Sequence, residues 1–318
     1  MTTVSIQGYK GSFHDVVASE LFTEKQLLER STFKEVFDDV KEGRAEFGVT
    51  AIENSIAGAI LQNYDLLRDS GLQVVGEYYL RIVHNLMALP GVKIEDIKEV
   101  WSHPMALKQC QDFLLKYPHI KQVETDDTAR SALQIKELSQ KTSSAAPQPQ
   151  QAVNSDPRTV AAIASSLAAE TYGMEIIAAG IEDDPQNYTR FLLIQRQNSG
   201  SEVGLKSQKI DKKLEDLIIK LDQTPDDHKC KVSTYVETAH RPGGLLPVLQ
   251  AIKDHEANMT MLVSRPVVGK AWEYGFYIDF VIEESKADEL LEILTYITDE
   301  CKLLGKYANF HPLKQISG

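Results

Sequence analysis

The sequence predicts an α/β protein in two parts, a larger one built from βα units and a smaller βαββαβ module near the C-terminal end. Two observations carry this expectation. Short apolar or β-branched runs alternate with helical patterns through the first part, as mostly parallel strands require. The last part reads strand, helix, strand, strand, helix, strand over 231–237, 244–255, 259–264, 274–282, 287–300 and 303–310, the order of a ferredoxin-like unit.

The elements follow in order. Val4-Ser5-Ile6 leads to a helix from about Ser12, the run 47–52 to one from about Ser55, and Glu99-Val100-Trp101 to one from about Pro104. Ser12 is a good N-cap with Asp15 as its capping-box partner, Ser55 is expected to cap the second helix, and Pro104 suits the first helical position. Asp126 and Asp127 read as caps of a further helix. Residues 141–157, rich in Ser, Ala, Pro and Gln, read as a surface loop. Val160-Ala161-Ala162-Ile163-Ala164-Ser165 reads as the start of an Ala-rich helix, 191–195 as a strand, and 197–227 as a linker with room for one helix.

The bulk numbers bound the function. A chain of 318 residues is long enough for two domains and a large core. A net charge of −12 argues against nucleic acid or an anionic membrane as main partner. Small anions stay open, because local geometry can outweigh net charge. The three cysteines, Cys110, Cys230 and Cys301, lie far apart without metal-ligand spacing, which fits a reducing compartment and no metal. Cys110 reads as a core residue. The N-terminal residues lack a basic region followed by an apolar core, and no apolar run is long enough to span a bilayer, so a cytoplasmic protein is expected.

Candidate chemistry gathers at the junctions. Each strand-to-helix junction aims unpaired backbone N–H groups and a positive dipole end past the sheet edge, and several converging on one cleft would hold a small polyanion. Asn187-Tyr188-Thr189-Arg190-Phe191 adds a hydroxyl beside a guanidinium, whose planar fork suits carboxylates. Read alone, Arg190 forms a surface ion pair and Thr189 opens a strand. His84 and His103 read as structural histidines.

Several ordered motifs together resemble the prephenate dehydratase family over residues 1–196 and an ACT regulatory domain over 228–312, with 197–227 between. They are Gly8-x-x-Gly11-Ser12-Phe13, Ile52-Glu53-Asn54-Ser55-x-x-Gly58, His84-Asn85-Leu86, Ser102-His103-Pro104-x-Ala106-Leu107-x-Gln109-Cys110 and Asp127-Thr128-Ala129. The most specific runs from Ala161-Ala162-Ile163-Ala164 through Tyr172-Gly173 to Asn187-x-Thr189-Arg190-Phe191. The resemblance implies two α/β lobes like those of type 2 periplasmic binding proteins, roughly 1–78 with 176–196, and 79–175. It implies decarboxylating dehydration of the dicarboxylate prephenate to phenylpyruvate, without a cofactor. Thr189, Arg190 and Glu53 would be catalytic, with Thr189 and a protonated Glu53 as rival proton donors. Otherwise Glu53 would favour a helix dipole. Asn54, Ser55, Ser12, Phe191, Asn187, Thr128 and His103 would bind substrate. In the module, Gly243, Gly244, Leu245, Asn258, Ser264, Arg265 and Pro266 would bind an L-phenylalanine effector, and pairing of modules would give a homodimer or homotetramer.

The chain departs from the family pattern at Ala51 (usually Pro), His14 (usually a hydroxyl residue), Met105 (usually Gln), Gly244 (usually Ala) and Val263 (usually Glu). His14 and Met105 are expected to reshape the cleft, which keeps arogenate open as substrate, and Val263 weakens the expectation of phenylalanine feedback. A non-catalytic two-lobed ligand sensor is the rival from another class. A transcriptional effector domain finds no helix-turn-helix segment or basic patch to support it.

Overall fold

A computed structural model describes residues 1–143, 156–197 and 228–309. Most of the segment 141–157, and the linker with its expected helix, lie outside the described residues.

The first lobe comprises β1 (Thr2–Gln7), α1 (Phe13–Leu21), β2 (Lys25–Arg30), α2 (Phe33–Glu42), β3 (Phe47–Asn54), β4 (Gly58–Ala59), α3 (Leu61–Ser70) and β5 (Leu72–Arg81). The chain then builds a second lobe from β6 (Asn85–Ala88), β7 (Glu99–Ser102), α4 (Pro104–Lys108), α5 (Gln111–Leu114), β8 (Lys121–Glu124), α6 (Thr128–Ser143), β9 (Val160–Ala164), α7 (Ser166–Tyr172) and β10 (Glu175–Ala178). It returns to the first lobe as β11 (Tyr188–Arg196). The sheet orders are β2-β1-β3-β11-β5 and β10-β6-β9-β7-β8. In each lobe, parallel strands are followed by one antiparallel strand that has just crossed from the other lobe. This is the expected two-lobed α/β plan.

Three expectations need correction. Val160–Ala164 is a strand, buried along its whole length in the middle of the second sheet. Alanines there let α6 and α7 approach the sheet, and Ser165 caps α7 by accepting from the Ala168 N–H. Ser55 caps no helix, because β4 intervenes and α3 begins only at Leu61. Residues 176–178 belong to the second lobe, since β10 pairs with β6.

The C-terminal module follows the expected order: β12 (Lys229–Glu237), α8 (Leu246–Asp254), β13 (Asn258–Pro266), β14 (Tyr274–Glu283), α9 (Glu284–Ile297) and β15 (Glu300–Ala308). Its antiparallel sheet has the order β13-β14-β12-β15. One face carries α8 and α9 over Val232, Val236, Ile278 and Phe280. The other face joins the first lobe, where Tyr235, Met261, Tyr277 and Leu304 share a core with Phe37 of α2, Leu67 of α3, and Leu192 and Ile194 of β11. Gly305 lets β15 lie on β5, because a Cβ there would come within 2.5 Å of the Val74 carbonyl oxygen. Among the described residues, no helix is long and apolar enough to cross a membrane.

Candidate active site at the hinge between the lobes

Strand geometry separates Thr189 from Arg190. Successive side chains point to opposite faces of a strand, so these neighbours cannot grip one ligand. Thr189 pairs in register with Asn54, while Arg190 pairs with Glu53 and Tyr79 and turns toward the module.

Thr189 ends a relay of amide side chains. The Asn54 Oδ1 accepts from the backbone N–H groups of Ile56 at 3.1 Å and Ala57 at 2.9 Å. These donors cannot reverse, so they fix which end of the amide is nitrogen. The Asn54 Nδ2 then donates to Thr189 Oγ1 at 3.0 Å and to Asn187 Oδ1 at 2.7 Å. Asn187 Nδ2 donates to Gln109 Oε1 at 2.9 Å, and His84 Nε2 lies 3.0 Å from the same oxygen. The inner members are sealed, with Asn187 at 0% and His84 at 2% exposure, while Thr189 and Gln109 keep 8% and 9%. The Asn54 nitrogen, which also lies 3.1 Å from Tyr188 O, has only protons to offer, so the Thr189 O–H does not donate to it and is left for another acceptor. The same polarity turns the Gln109 amide nitrogen away from both Asn187 and His84, as a second donor not used within the relay.

The relay straddles the hinge. Asn54 and Thr189 belong to the first lobe and Gln109 to the second. His84 and Asn187 lie on the two crossovers, which are stitched together by Ile82 N–H to Asn187 O at 2.7 Å and Ile181 N–H to His84 O at 2.9 Å. Ser55 fastens the return segment, accepting from Tyr188 N–H at 2.9 Å and donating to Gln186 O at 3.0 Å.

Two helix N-termini flank this site. Ser12 caps α1 by accepting from the Asp15 N–H, and Asp15 accepts from the Gly11 N–H at 2.9 Å. The next residue, Phe13, meets His84 edge-on at 5.6 Å. At α6, Asp127 accepts from the Arg130 N–H at 2.9 Å, and Thr128 is the first, half-buried helical residue. The two termini face each other: a Cβ on Gly8 would lie 2.9 Å from Asp127 Oδ2 and 3.3 Å from Ser12 Oγ. Burial pushes the Asp127 carboxyl above the usual carboxylate range. His103 is the exposed cap of α4, its Nδ1 accepting from the Met105 N–H at 3.2 Å. Across the seam, Tyr172 OH donates to Lys10 O at 2.7 Å, holding the second lobe against the α1 loop.

Other sequence expectations are corrected. Arg190 is buried, and among the described residues its side chain is hydrogen-bonded away from the relay. Its Nε donates to Glu77 at 2.7 Å, one Nη to Asp279 at 2.5 Å and the other to the Tyr307 hydroxyl at 2.9 Å. Its fork therefore joins β5 to the module rather than gripping a substrate carboxylate. Glu53 shares the face of Arg190, and its charge helps raise the Tyr64 and Tyr79 hydroxyl pKa values. It lies on the opposite side of the strand from Thr189. Phe191 is 2% exposed and stacks edge-on against His14 at 5.0 Å, so it supports the strand from within. His14 does not line the cleft either; its Nε2 accepts from the Ala51 N–H at 3.2 Å inside the core.

In the module, the turn bearing Gly243, Gly244 and Leu245 opens α8, while Asn258, Ser264 and Pro266 lie on β13, at the edge of the sheet. Arg265 is committed to Asp65 of α3 in the first lobe and does not stand free for an effector. Gly244 has a steric reason: a Cβ would come within 2.3 Å of the Ala239 carbonyl oxygen.

Sequence reasoning gave roles to Thr189, Asn54 and Asn187, quoted Gln109 within a motif but gave it no role, and treated His84 as structural. The missed signal was a polar residue on an apolar face, since Gln109 follows Ala106 by one helical turn and both are buried.

Comparison with known proteins gives the chain a family. The chain is 30% identical over 310 residues to the bifunctional chorismate mutase/prephenate dehydratase of Escherichia coli (strain K12), covering 96% of this chain and 70% of that protein. It is 32% identical over 323 residues to arogenate dehydratase/prephenate dehydratase 6, chloroplastic, of Arabidopsis thaliana, covering 96% and 68%. The fold is shared with the prephenate dehydratase of Arthrobacter aurescens solved in complex with L-Phe, with a TM-score of 0.75 at 23% identity over 96% of this chain and 90% of that one. The family model for prephenate dehydratase matches residues 4–199, the span that holds both lobes and the whole relay, and the chain is therefore a member of the prephenate dehydratase family.

Proposed function

We propose that this chain converts prephenate to phenylpyruvate, water and carbon dioxide, with Thr189 assisting departure of the ring hydroxyl. In that reaction the C–O bond breaks as the leaving oxygen takes a proton. The bond to the ring carboxylate breaks with it, and its electron pair completes the aromatic ring. A threonine hydroxyl is too weak an acid to be a free proton source, so it acts as a hydrogen-bond donor or relay. Asn54 strengthens this role, because its N–H steadies negative charge developing on the Thr189 oxygen.

The observation that carries the reading is the direction of the relay. It leaves the Thr189 O–H and the Gln109 N–H₂ without an acceptor within the relay, and both are suited to oxygen atoms gaining negative charge. The N-termini of α1 and α6 supply a positive field for the dianion within an acidic protein. Arogenate, which carries an amine in place of the side-chain keto group, is the second reading, favoured by the name of the Arabidopsis relative.

The test is turnover of prephenate, and of arogenate in parallel, by wild type and by Thr189→Ala. Losing a transition-state donor is expected to lower kcat by about 10²–10³. No turnover of either substrate by folded wild type would move the reading to a ligand sensor. We also propose that the βαββαβ module is an ACT domain responsive to phenylalanine, and that its edge strand β13 supports a homodimer or homotetramer. The module's strand order and the L-Phe bound to the Arthrobacter relative support this.

A further inference from the structure

We propose that His84, as its Nε2–H tautomer, is a positioning residue that holds the Gln109 amide with its N–H₂ toward the substrate. The inference rests on the dehydratase reading of the same site. Its argument begins far from the histidine. The backbone N–H groups of Ile56 and Ala57 fix the Asn54 amide. Asn54 then fixes Asn187, and Asn187 presents its Nδ2 to Gln109. Each amide has one way to lie, so the Gln109 atom at the junction is its oxygen. An oxygen cannot donate, so the ring nitrogen 3.0 Å away must carry the proton.

Two further observations agree. The other ring nitrogen, Nδ1, is buried without a hydrogen-bond partner among the described residues. A proton there would be an unsatisfied buried donor, whereas a bare lone pair is the less costly orphan. Burial also lowers the imidazole pKa, so the ring holds a single proton at neutral pH. Phe13 of the first lobe closes over the ring and keeps it in place.

Without the His84 donor, Gln109 would keep only Asn187 on its oxygen. Its side chain could then rotate, and the second outward donor would be presented only part of the time. His84 touches no substrate and acts through Gln109.

The first test needs no turnover. Long-range ¹H–¹⁵N correlation spectra of histidine-labelled protein, with His84 assigned by its absence in His84→Gln, report the tautomer directly. A protonated Nε2 and bare Nδ1 at neutral pH are expected, and the reverse pattern overturns the proposal. The second test is kinetic. His84→Phe keeps the ring but removes the donor, and should lower kcat about tenfold, the order of one neutral hydrogen bond, with KM little changed. His84→Gln can still donate and should recover most of that loss. In a Gln109→Ala background, His84→Phe should cost nothing more. Equal impairment of the Phe and Gln variants, or full additivity with Gln109→Ala, overturns the positioning role. Failure of wild type to turn over either substrate would instead strike the dehydratase reading and leave the tautomer result standing.

Discussion

At Asn54, a single heteroatom decides which way a proton points. Replacing its amide nitrogen by oxygen, in Asn54→Asp, preserves shape and keeps an acceptor for the Ile56 and Ala57 N–H groups. The other carboxylate oxygen would face Thr189 Oγ1 and Asn187 Oδ1, where the wild type donates. Thr189 would have to turn its proton inward to satisfy it. Asn54→Asp is therefore expected to lose about 10²–10³ in kcat, as Thr189→Ala does, while remaining folded by circular dichroism. Near-normal turnover would remove the outward O–H from the mechanism. At this scale the sequence was legible where a motif named the residue and illegible where direction mattered. Thr189 and Arg190 are adjacent in the chain, yet strand alternation sends one to the relay and the other to the module.

Elements were legible when their pattern had one interpretation. The βαββαβ order and most strand-to-helix junctions appear as expected, because turn residues and apolar periodicity agree there. The run Val160–Ala164 was misread because alanine favours helices locally, whereas burial on both faces makes it a strand. The seat of α1 shows burial deciding chemistry as well. His14 is held neutral inside the core, where burial lowers its pKa to about 3 from an ordinary value near 6.5. An unfolded chain therefore binds a proton at His14 that the folded one refuses. Its contribution to stability is complete above about pH 6.5 and is lost progressively as pH falls from there toward 3, with a slope of at most about 1.4 kcal/mol per pH unit. His14→Gln can still accept from the Ala51 N–H but cannot titrate. Urea unfolding at several pH values should show a shallower acid loss in the variant by up to one proton. An unchanged slope would mean that His14 is protonated without cost in the fold.

For the whole molecule, the question is what binds the module to the lobes. Apolar burial supplies area, and beneath it lies a closed set of charges, Arg190 and Lys231 against Glu77 and Asp279. Arg190 is the only member of this set that reaches Asp279 of the module from β11, and it sits one residue from Thr189. Removing one partner of a buried pair leaves an uncompensated charge and typically costs about 3–5 kcal/mol, more than the pair contributes relative to apolar residues. Arg190→Met should therefore destabilise by about that amount, and Asp279→Asn by less, since its amide can still accept a hydrogen bond from the guanidinium. Because both residues act through one contact, the double variant should fall well short of the sum. Urea unfolding of the four proteins measures this coupling. If substrate binding were instead Arg190's task, Arg190→Met would raise KM steeply while Asp279→Asn left both stability and kinetics alone. Additive stability losses would mean that the module is held by its apolar face alone, with the charge set contributing only to each side separately.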